Sequence, residues 1–249
     1  MARKAKPKSS TRKRGKGKAA SRRPARSLLR RAVHNLARAF LGVVAVVIFV
    51  IALHGFLRPW PGLYMTREHL RLDEIQRQWV PMDKIAPVMA RSVVAAEDAN
   101  FCLHWGVDMT ALREAISEGG NRGGSTLTQQ VVKNVYLWHG RTYTRKALEA
   151  LLTPLVELFW SKRRILEVYM NVAEFDEGVF GVEAAAQHYF GVSAEALSDQ
   201  QAARLASVLP SPKSRSASKP TEYLQRRSAA IRDGAATIDR DGRAACFQS

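Results

Sequence analysis

The chain has 249 residues and a formal net charge of +17, a length that suits one sizeable domain plus an anchor and disfavours a second full domain. The charge is concentrated at one end, because residues 1–38 carry fifteen Lys or Arg and no Asp or Glu. The remaining residues hold 24 basic and 22 acidic side chains, a near-neutral balance that argues against a nucleic-acid-binding body. The first 38 residues are predicted to be a disordered basic tail.

A single apolar run follows the tail. Residues 39–57 read AFLGVVAVVIFVIALHGFL and contain one His but no Asp, Glu, Lys or Arg. As a helix they span roughly 28 Å, close to the ~30 Å hydrocarbon core of a bilayer. The run predicts one transmembrane helix, with the basic tail in the cytoplasm and the body outside. A buried core helix is the first alternative, and a cleaved signal peptide, for which no clear small-x-small site follows, is the second.

The body, residues 58–240, is predicted to be mainly helical, and residues 241–249 are expected to be a C-terminal tail. Residues 138–143 are the stretch that could be extended. Apolar spacing and capping residues predict eight helices in the body. The first opens at Pro81, and the others cover Met109–Glu118, Ser125–Asn134, Arg145–Trp160, Lys162–Asn171, Phe180–Phe190, Ser198–Pro210 and 221–239.

Two cysteines, Cys102 and Cys246, are present. A disulfide framework needs more than two, so we expect both to be unpaired. One bridge in an oxidising compartment is the alternative, because the sequence does not show whether the two residues approach each other.

Three clusters carry candidate chemistry, and the first is the adjacent carboxylates Glu97 and Asp98 at the end of an apolar helix. Burial at such a position raises the pKa of a carboxyl group and suits it to proton transfer. A solvated helix end is the alternative explanation of the same spacing.

The second cluster is Gly123-Gly124-Ser125-Thr126, which leads into a helix carrying Gln129, Gln130 and Lys133. Glycines allow backbone N–H groups to approach a ligand, and a helix N-terminus favours anions. The spacing is not that of a Walker loop, and an ordinary capped helix is the alternative.

The third cluster places Arg141, Arg145 and Glu149 four residues apart, with Lys146 beside them. Cations around a carboxylate suit the recognition of a diphosphate. A surface ion pair of i, i+4 type is the alternative.

Taken in order, the clusters resemble the signature motifs of the peptidoglycan glycosyltransferases, glycosyltransferase family 51. The resemblance covers about residues 60–235. It rests on Glu97-Asp98-x-x-Phe101-x-x-His104-x-Gly106-x-Asp108, Gly123 to Gln130, Arg145-Lys146-x-x-Glu149, Ile165-Leu166-Glu167-x-Tyr169-Met170-Asn171, Phe180-Gly181-Val182-Glu183 and Leu209-Pro210-Ser211-Pro212.

The resemblance implies a mainly α, lysozyme-like glycosyltransferase domain behind one transmembrane helix. The implied substrate is lipid II, an undecaprenyl-diphosphate-linked GlcNAc–MurNAc-pentapeptide, which is polymerised into linear glycan. Glu97 matches the general base and Glu149 the second catalytic carboxylate. Lys133, Arg141 and Arg145 match the residues that hold the diphosphate. Further positions expected to bind substrate or support these residues are Asp98, Ser125, Thr126, Gln129, Gln130 and Lys146.

The resemblance also implies the surroundings of the reaction. We expect no obligatory cofactor. A divalent cation, Mg²⁺ or Mn²⁺, is possible as an addition, and no residues are assigned as its ligands. Expected partners are lipid II, the growing glycan strand, membrane lipid and other cell-wall synthesis or division proteins, with no nucleic acid. The expected location is the bacterial inner membrane, with the catalytic domain on its outer side.

Two other functions compete with this one. A lysozyme-like enzyme that cleaves finished glycan shares the fold and a catalytic Glu but does not need the cluster of cations. A non-catalytic membrane tether is the second alternative, and it predicts that Glu97 can be changed without consequence.

Overall fold

The computed structural model describes residues 25–110, 113, 117, 124–140 and 142–248. It divides into two compact units that meet between Val46 and Val47. The described helices are α1 (Ala25–His54), α2 (Leu63–Leu72), α3 (Pro87–Glu97), α4 (Leu127–Tyr136), α5 (Tyr143–Phe159), α6 (Lys162–Val172), α7 (Val182–Phe190), α8 (Asp199–Val208), α9 (Glu222–Arg240) and α10 (Ala245–Gln248). This mainly helical architecture confirms the predicted fold class.

Helix α1 includes the apolar run predicted to cross a membrane. Within the described residues, the segment Leu29–His54 is long and apolar enough to span a bilayer, and only 6% of its most apolar window is buried. That exposure is not expected of a core helix, whereas it is consistent with a membrane anchor.

The ends of α1 differ from the prediction at both sides. The helix already covers residues 25–38, which were predicted to be disordered, because Leu, Ala and Arg in that stretch are strong helix formers. It ends at His54, three residues before the predicted end at Leu57, because the Arg58-Pro59 pair disfavours helix continuation. The tail prediction for residues 1–24 lies outside the described residues.

The last turn of α1 is packed into the second unit. The indole Nε1 of Trp160 donates a 2.7 Å hydrogen bond to the Ile51 carbonyl, and Ile51 is fully buried. The Arg164 guanidinium donates to the carbonyls of His54 and Leu57. These contacts satisfy helix-end carbonyls that have no partner within the helix.

The core of the second unit is built from two groups of helices. In the first, α3, α8 and α9 pack on one another, and in the second, α4 packs on α5 and α6. Helix α4 buries Thr128, Val131, Val132 and Val135, at the i, i+3, i+4 and i+7 positions expected of one helical face. The two groups meet at one hydrophobic cluster, so the end of α3 is held against the start of α4.

A small sheet lies beside the helices, with strands β1 (Gln76–Arg77), β2 (Glu174–Asp176) and β3 (Val179–Phe180) in the order β1-β3-β2. Strand β3 is parallel to β1 and antiparallel to β2. No strand forms in the described part of 138–143, although Thr142 has an extended backbone with φ of −118° and ψ of 141°. Tyr143 is already the first residue of α5.

Most helix predictions in the body are confirmed within a few residues. Ser161 caps α6 by accepting from the Arg164 N–H, and Ser198 with Gln201 forms the predicted capping box of α8. The helix predicted to open at Pro81 is instead interrupted, with a 3₁₀ turn at Met82–Lys84 before α3. The predicted helix Met109–Glu118 falls largely outside the described residues.

The C-terminal residues correct two predictions. Residues 241–248 are not a free tail, because Ala245–Gln248 forms α10 and Phe247 is fully buried. Cys102 and Cys246 are joined by a disulfide rather than unpaired. Their sequence separation of 144 gave no signal of proximity, because only the packing of α10 onto α6 brings the two chain segments together.

Candidate active site

Glu97 is the last residue of α3, at the point where the apolar face of the helix ends. That face includes Met89, Val93 and Val94, all fully buried. The Glu97 side chain is half-buried, and its Oε2 atom accepts a 2.9 Å hydrogen bond from Nε2 of Gln130 on α4. The carboxylate is therefore held in one orientation without a direct cationic partner in the described part of the chain.

The surroundings of Glu97 raise the pKa of its carboxyl group. Burial is the main cause, and the hydrogen bond from Gln130 opposes it. The charges of Arg227 and Lys133 also lower the pKa, while the neighbouring Asp98 raises it. A carboxylate with a raised pKa is a stronger base than an ordinary glutamate, which favours proton abstraction.

Asp98 has a structural role beside Glu97. Its carboxylate is almost fully buried, and one oxygen lies 2.8 Å from His104 Nε2 while the other accepts from the Leu127 N–H at 3.0 Å. Asp98 thereby joins the end of α3 to the first residue of α4. This geometry fits the supporting function expected of it.

The start of α4 is a capping box, so two predicted site residues are engaged within the protein. Thr126 accepts from the Gln129 N–H, and the Gln129 side chain accepts from the Thr126 N–H. The Thr126 hydroxyl also donates to the Gly106 carbonyl at 2.6 Å. Thr126 and Gln129 therefore shape the turn into α4, and both are buried.

Lys133 carries a cation for which the described part of the chain provides no hydrogen bond or ion pair. Its side chain is half-buried, and burial lowers the pKa of the ammonium group. The carboxylates of Glu149 and Glu97 raise that pKa, while Arg145 and Lys146 lower it. Lys133 thus lies within electrostatic reach of both carboxylates and is available for an anionic ligand.

Arg145, Lys146 and Glu149 form the cluster predicted from their spacing. The Arg145 guanidinium pairs with one Glu149 oxygen, and Lys146 Nζ lies 2.6 Å from the other. Lys146 also donates to the Ser125 hydroxyl at 3.0 Å, which links this cluster to the glycine-rich turn. Glu149 is almost fully buried and holds two cations in place. The predicted partner Arg141 lies outside the described residues.

Two clefts border these side chains. One has a volume of about 440 Å³ and is lined by Gln130, Lys133 and Tyr169, among others. The other, of about 500 Å³, is lined by Glu97, Ser125 and Asp108. Gln130 belongs to the first cleft and binds Glu97 in the second. The Glu97 carboxylate and the Lys133 ammonium, which has no partner among the described residues, therefore line clefts that Gln130 connects.

A buried polar network behind the site was not predicted. Glu157 accepts a 2.5 Å hydrogen bond from the Thr128 hydroxyl and a 2.9 Å bond from Lys162 Nζ. Lys162 also donates to the His104 carbonyl and lies 4.4 Å from the centre of the Phe101 ring. Glu157 and Lys162 are five residues apart, with a helix boundary between them. Ion pairs within a helix are spaced by three or four residues, so the sequence did not indicate this pair.

The network surrounds Gly106, whose φ of +82° favours glycine. A Cβ at this position would lie 2.6 Å from Thr153 Cγ2 and 3.0 Å from Glu157 Cγ. The close approach lets the Gly106 carbonyl reach the Thr126 hydroxyl, so the network supports the turn that starts α4.

We expect Lys162→Met to lower the free energy of unfolding by about 3 kcal/mol, because it leaves the buried Glu157 carboxylate without its cation. Chemical denaturation would measure the change. The matched control is Lys84→Met, since Lys84 forms only an exposed pair with Glu195 at 3.4 Å, and we expect a change below about 0.5 kcal/mol there. Equal losses of unfolding free energy in the two variants would contradict a stabilising role for the Glu157–Lys162 pair.

Arg227 is a second residue that the sequence did not single out. It lies on α9, which packs against α3, and its charge lowers the pKa of Glu97. Its Nε atom is buried and has no hydrogen-bond partner in the described part of the chain. A single arginine on an amphipathic helix belongs to no sequence motif. Only the packing of α9 against α3 shows that Arg227 lies near Glu97.

The described residues contain no group of three or more His, Cys, Asp or Glu side chains able to hold a metal ion. Glu97 is bound by an amide and Glu149 by two cations. These donor sets do not fit a resident metal, so no catalytic step is assigned to one.

A helical body with a carboxylate of raised pKa and a cation cluster beside open clefts is consistent with an enzyme that transfers a group from an anionic leaving group. The transglycosylase family model matches residues 65–235. The chain is 58% identical over 212 residues to a biosynthetic peptidoglycan transglycosylase of Jannaschia sp. (strain CCS1), covering 85% of this chain and 89% of that protein. This chain therefore belongs to the transglycosylase family.

Two further relatives carry the same name. The protein of Caulobacter vibrioides is 46% identical over 223 residues, covering 88% of this chain and 97% of its own length. That of Pseudomonas fluorescens (strain SBW25) is 54% identical over 173 residues, covering 68% and 72%. The predicted peptidoglycan glycosyltransferase function in cell-wall synthesis is thereby confirmed. Membership implies lipid II and the glycan strand as substrates.

Proposed function

We propose that Glu97 is the general base of lipid II polymerisation. Its carboxylate removes the proton from the 4-hydroxyl of the incoming GlcNAc, and that oxygen attacks the anomeric carbon of the growing chain. The new glycosidic bond forms with inversion as the bond to the diphosphate oxygen breaks. The observation that carries this proposal is the half-buried Glu97 carboxylate, bound by Gln130 and within electrostatic reach of Lys133, which has no ion-pair partner in the part of the chain that the structure describes.

The leaving diphosphate needs positive charge rather than a proton donor. Diphosphate is already a good leaving group, so preorganised cations supply the main stabilisation. Lys133 contributes a free ammonium group, and Arg145 with Lys146 forms a second positive region that Glu149 holds in place. In this proposal Glu149 acts by orienting the two cations, and Ser125 positions Lys146.

We further propose an inner-membrane location, with the N-terminus in the cytoplasm and the catalytic body on the outer side. The helix Leu29–His54 is consistent with an anchor, and the basic residues before it favour a cytoplasmic tail. The Cys102–Cys246 disulfide supports an oxidising compartment for the body, because disulfides are rare in reducing cytoplasm. A substrate with a polyprenyl chain stays in the bilayer next to such an anchor.

The partners in this proposal are lipid II, the growing strand, membrane lipid and other cell-wall synthesis or division proteins. No cofactor is obligatory in this proposal. A divalent cation such as Mg²⁺ or Mn²⁺, when it contributes to the reaction, does so together with the substrate diphosphate. Polymerisation assays with EDTA, Mg²⁺ or Mn²⁺ compare these conditions directly.

The test is polymerisation of labelled lipid II by the detergent-solubilised full chain, read on a gel that resolves glycan length. Long, undegraded glycan from the wild type is the expected result. Incubation with purified sacculi forms the second arm, and release of soluble glycan fragments there would favour the hydrolytic alternative. Folded wild-type protein that makes no glycan with any of the three cation conditions would overturn the proposal.

A further inference from the structure

The C-terminal residues 241–248 contact the chain on both sides of Glu97. At the start of α3, Gln248 Nε2 donates to the Pro87 carbonyl at 3.2 Å, and Arg91 lies 3.5 Å from the Gln248 amide oxygen. Just beyond the end of α3, Arg243 donates to the Ala99 carbonyl at 3.1 Å. The helix that carries the base is thus held near its first and last residues by one short segment.

A covalent bond and a buried ring fix the same segment. Cys246 is bonded to Cys102, five residues after Glu97. The adjacent Phe247 is fully buried, with its ring centre 6.4 Å from that of Phe101. Arg163 on α6 donates to the Phe247 carbonyl at 3.1 Å. Residues 241–248 therefore tie the loop after α3 to a second helix of the core.

The loop held in this way is part of the site. Residues from Ala95 to Asn100 line the cleft of about 500 Å³ that contains the Glu97 side chain. Within the site the loop is fixed by Asp98, through His104 and the Leu127 N–H. Arg243 and the disulfide fix it at two further positions, Ala99 and Cys102.

We propose that residues 241–248, closed by the Cys102–Cys246 disulfide, are a clamp that positions Glu97, so that full transglycosylase activity requires the oxidised chain. The inference rests on the proposed function of Glu97 as the base. Misplacement of a reacting group by about 1 Å can cost roughly 100-fold in rate, so a loosened loop lowers turnover even in a folded protein.

The cysteine-free variant Cys102→Ala/Cys246→Ala tests the clamp with the full chain and labelled lipid II. We expect roughly a tenfold lower kcat with little change in KM, because the base is displaced while the cations remain. Dithiothreitol reduces the wild-type disulfide to two thiols as it is oxidised to its own cyclic disulfide. It should lower wild-type kcat to the same level and leave the cysteine-free variant unchanged.

The pH dependence of kcat/KM distinguishes a clamp that positions Glu97 from a clamp that only stabilises the fold. The groups that face Glu97 are Asp98, Gln130, Lys133, Tyr169 and Arg227, and none of them is altered in the cysteine-free variant. Burial raises the pKa of Glu97, so a loosened, better hydrated loop should move the acid limb of kcat/KM to lower pH. A purely structural role would lower the melting temperature and leave this limb in place.

A second pair of variants covers the case in which the cysteine-free protein does not fold. Arg243→Gln removes the contact to Ala99 and keeps the disulfide, and we expect a severalfold lower kcat. Arg240→Gln is its control, because Arg240 bonds only to Thr237 on the surface of its own helix, and wild-type kcat is expected there.

The results separate this inference from the proposed function. Wild-type kcat and an unmoved acid limb in a folded cysteine-free variant, or in folded Arg243→Gln, would overturn the clamp alone. Oxidised wild type that makes no glycan would overturn the proposed function and the clamp with it. Loss of kcat in wild type on reduction, absent in the cysteine-free variant, supports the clamp.

Discussion

Glu97→Gln is expected to reduce lipid II polymerisation by about 10³-fold, within the range typical for loss of a general base. Glutamine keeps the size of the side chain and still meets Gln130, but it cannot take the proton from the attacking hydroxyl. Initial rates of glycan formation from the wild type and the variant measure the effect. Retention of more than a tenth of the wild-type rate would contradict the assignment of Glu97 as base.

The same variant should remain at least as stable as the wild type. Burial raises the folded-state pKa of Glu97 above the ordinary glutamate value of 4.5, so the folded protein binds this proton more tightly than the unfolded chain. The resulting stabilisation is complete below pH 4.5 and is lost as pH rises through the folded pKa. Above that folded pKa the ionised group costs stability, and its replacement by glutamine removes that cost. An equal or higher melting temperature is the expected control result.

The raised pKa also determines the pH dependence of the wild type. Glu97 must be ionised to act as base, so kcat/KM should fall as pH decreases through a pKa above that of an ordinary glutamate. Gln130→Leu removes the hydrogen bond that stabilises the carboxylate, and its acid limb should lie at higher pH than that of the wild type. An acid limb that moved to lower pH would contradict the arrangement of these two side chains.

Lys133→Met is expected to lower kcat/KM by about 10²- to 10³-fold, because it removes a preorganised cation from the leaving-group side of the cleft. Methionine preserves the unbranched stem, so the change is mainly one of charge. Steady-state kinetics on lipid II measures the loss, and Lys133→Arg should recover part of it.

Lys219→Met is the matched control for this charge removal. Lys219 is an exposed lysine in the segment between α8 and α9, outside the residues that line the two clefts. We expect wild-type kcat/KM for it at moderate ionic strength. A similar loss in both variants would show that overall charge, rather than the position of Lys133, supports the reaction.

The features of the site that could be predicted are those formed by residues close together in the sequence. Helix caps at Ser161 and Ser198 and the i, i+4 pair of Arg145 and Glu149 depend on residues a few positions apart, and the sequence predicted them. Glu97 was identified by its place at the end of an apolar helix and by the family resemblance. Its partner Gln130 lies 33 residues away, and only the packing of α3 against α4 shows which glutamine reaches it.

The missed features have two causes. Arg227 reaches the site through the packing of α9, a contact between distant segments. Glu157 and Lys162 are only five residues apart, but a helix boundary separates them, so their pairing follows no helical spacing. The disulfide escaped prediction for the first of these reasons, since two cysteines without a repeated pattern carry no pairing information. A buried charge pair is also difficult to predict, because its cost and benefit depend on the final burial.

The packed last turn of α1 has a consequence for re-anchoring the protein. Ile51, His54 and Leu57 belong to the same compact unit as the body, and their carbonyls accept hydrogen bonds from Trp160 and Arg164. Residues 47–57 therefore contribute to the stability of the body and are more than a continuation of the apolar run. Exchange of the anchor for an unrelated helix should preserve residues 47–57, because their loss would leave the buried Trp160 N–H without its acceptor.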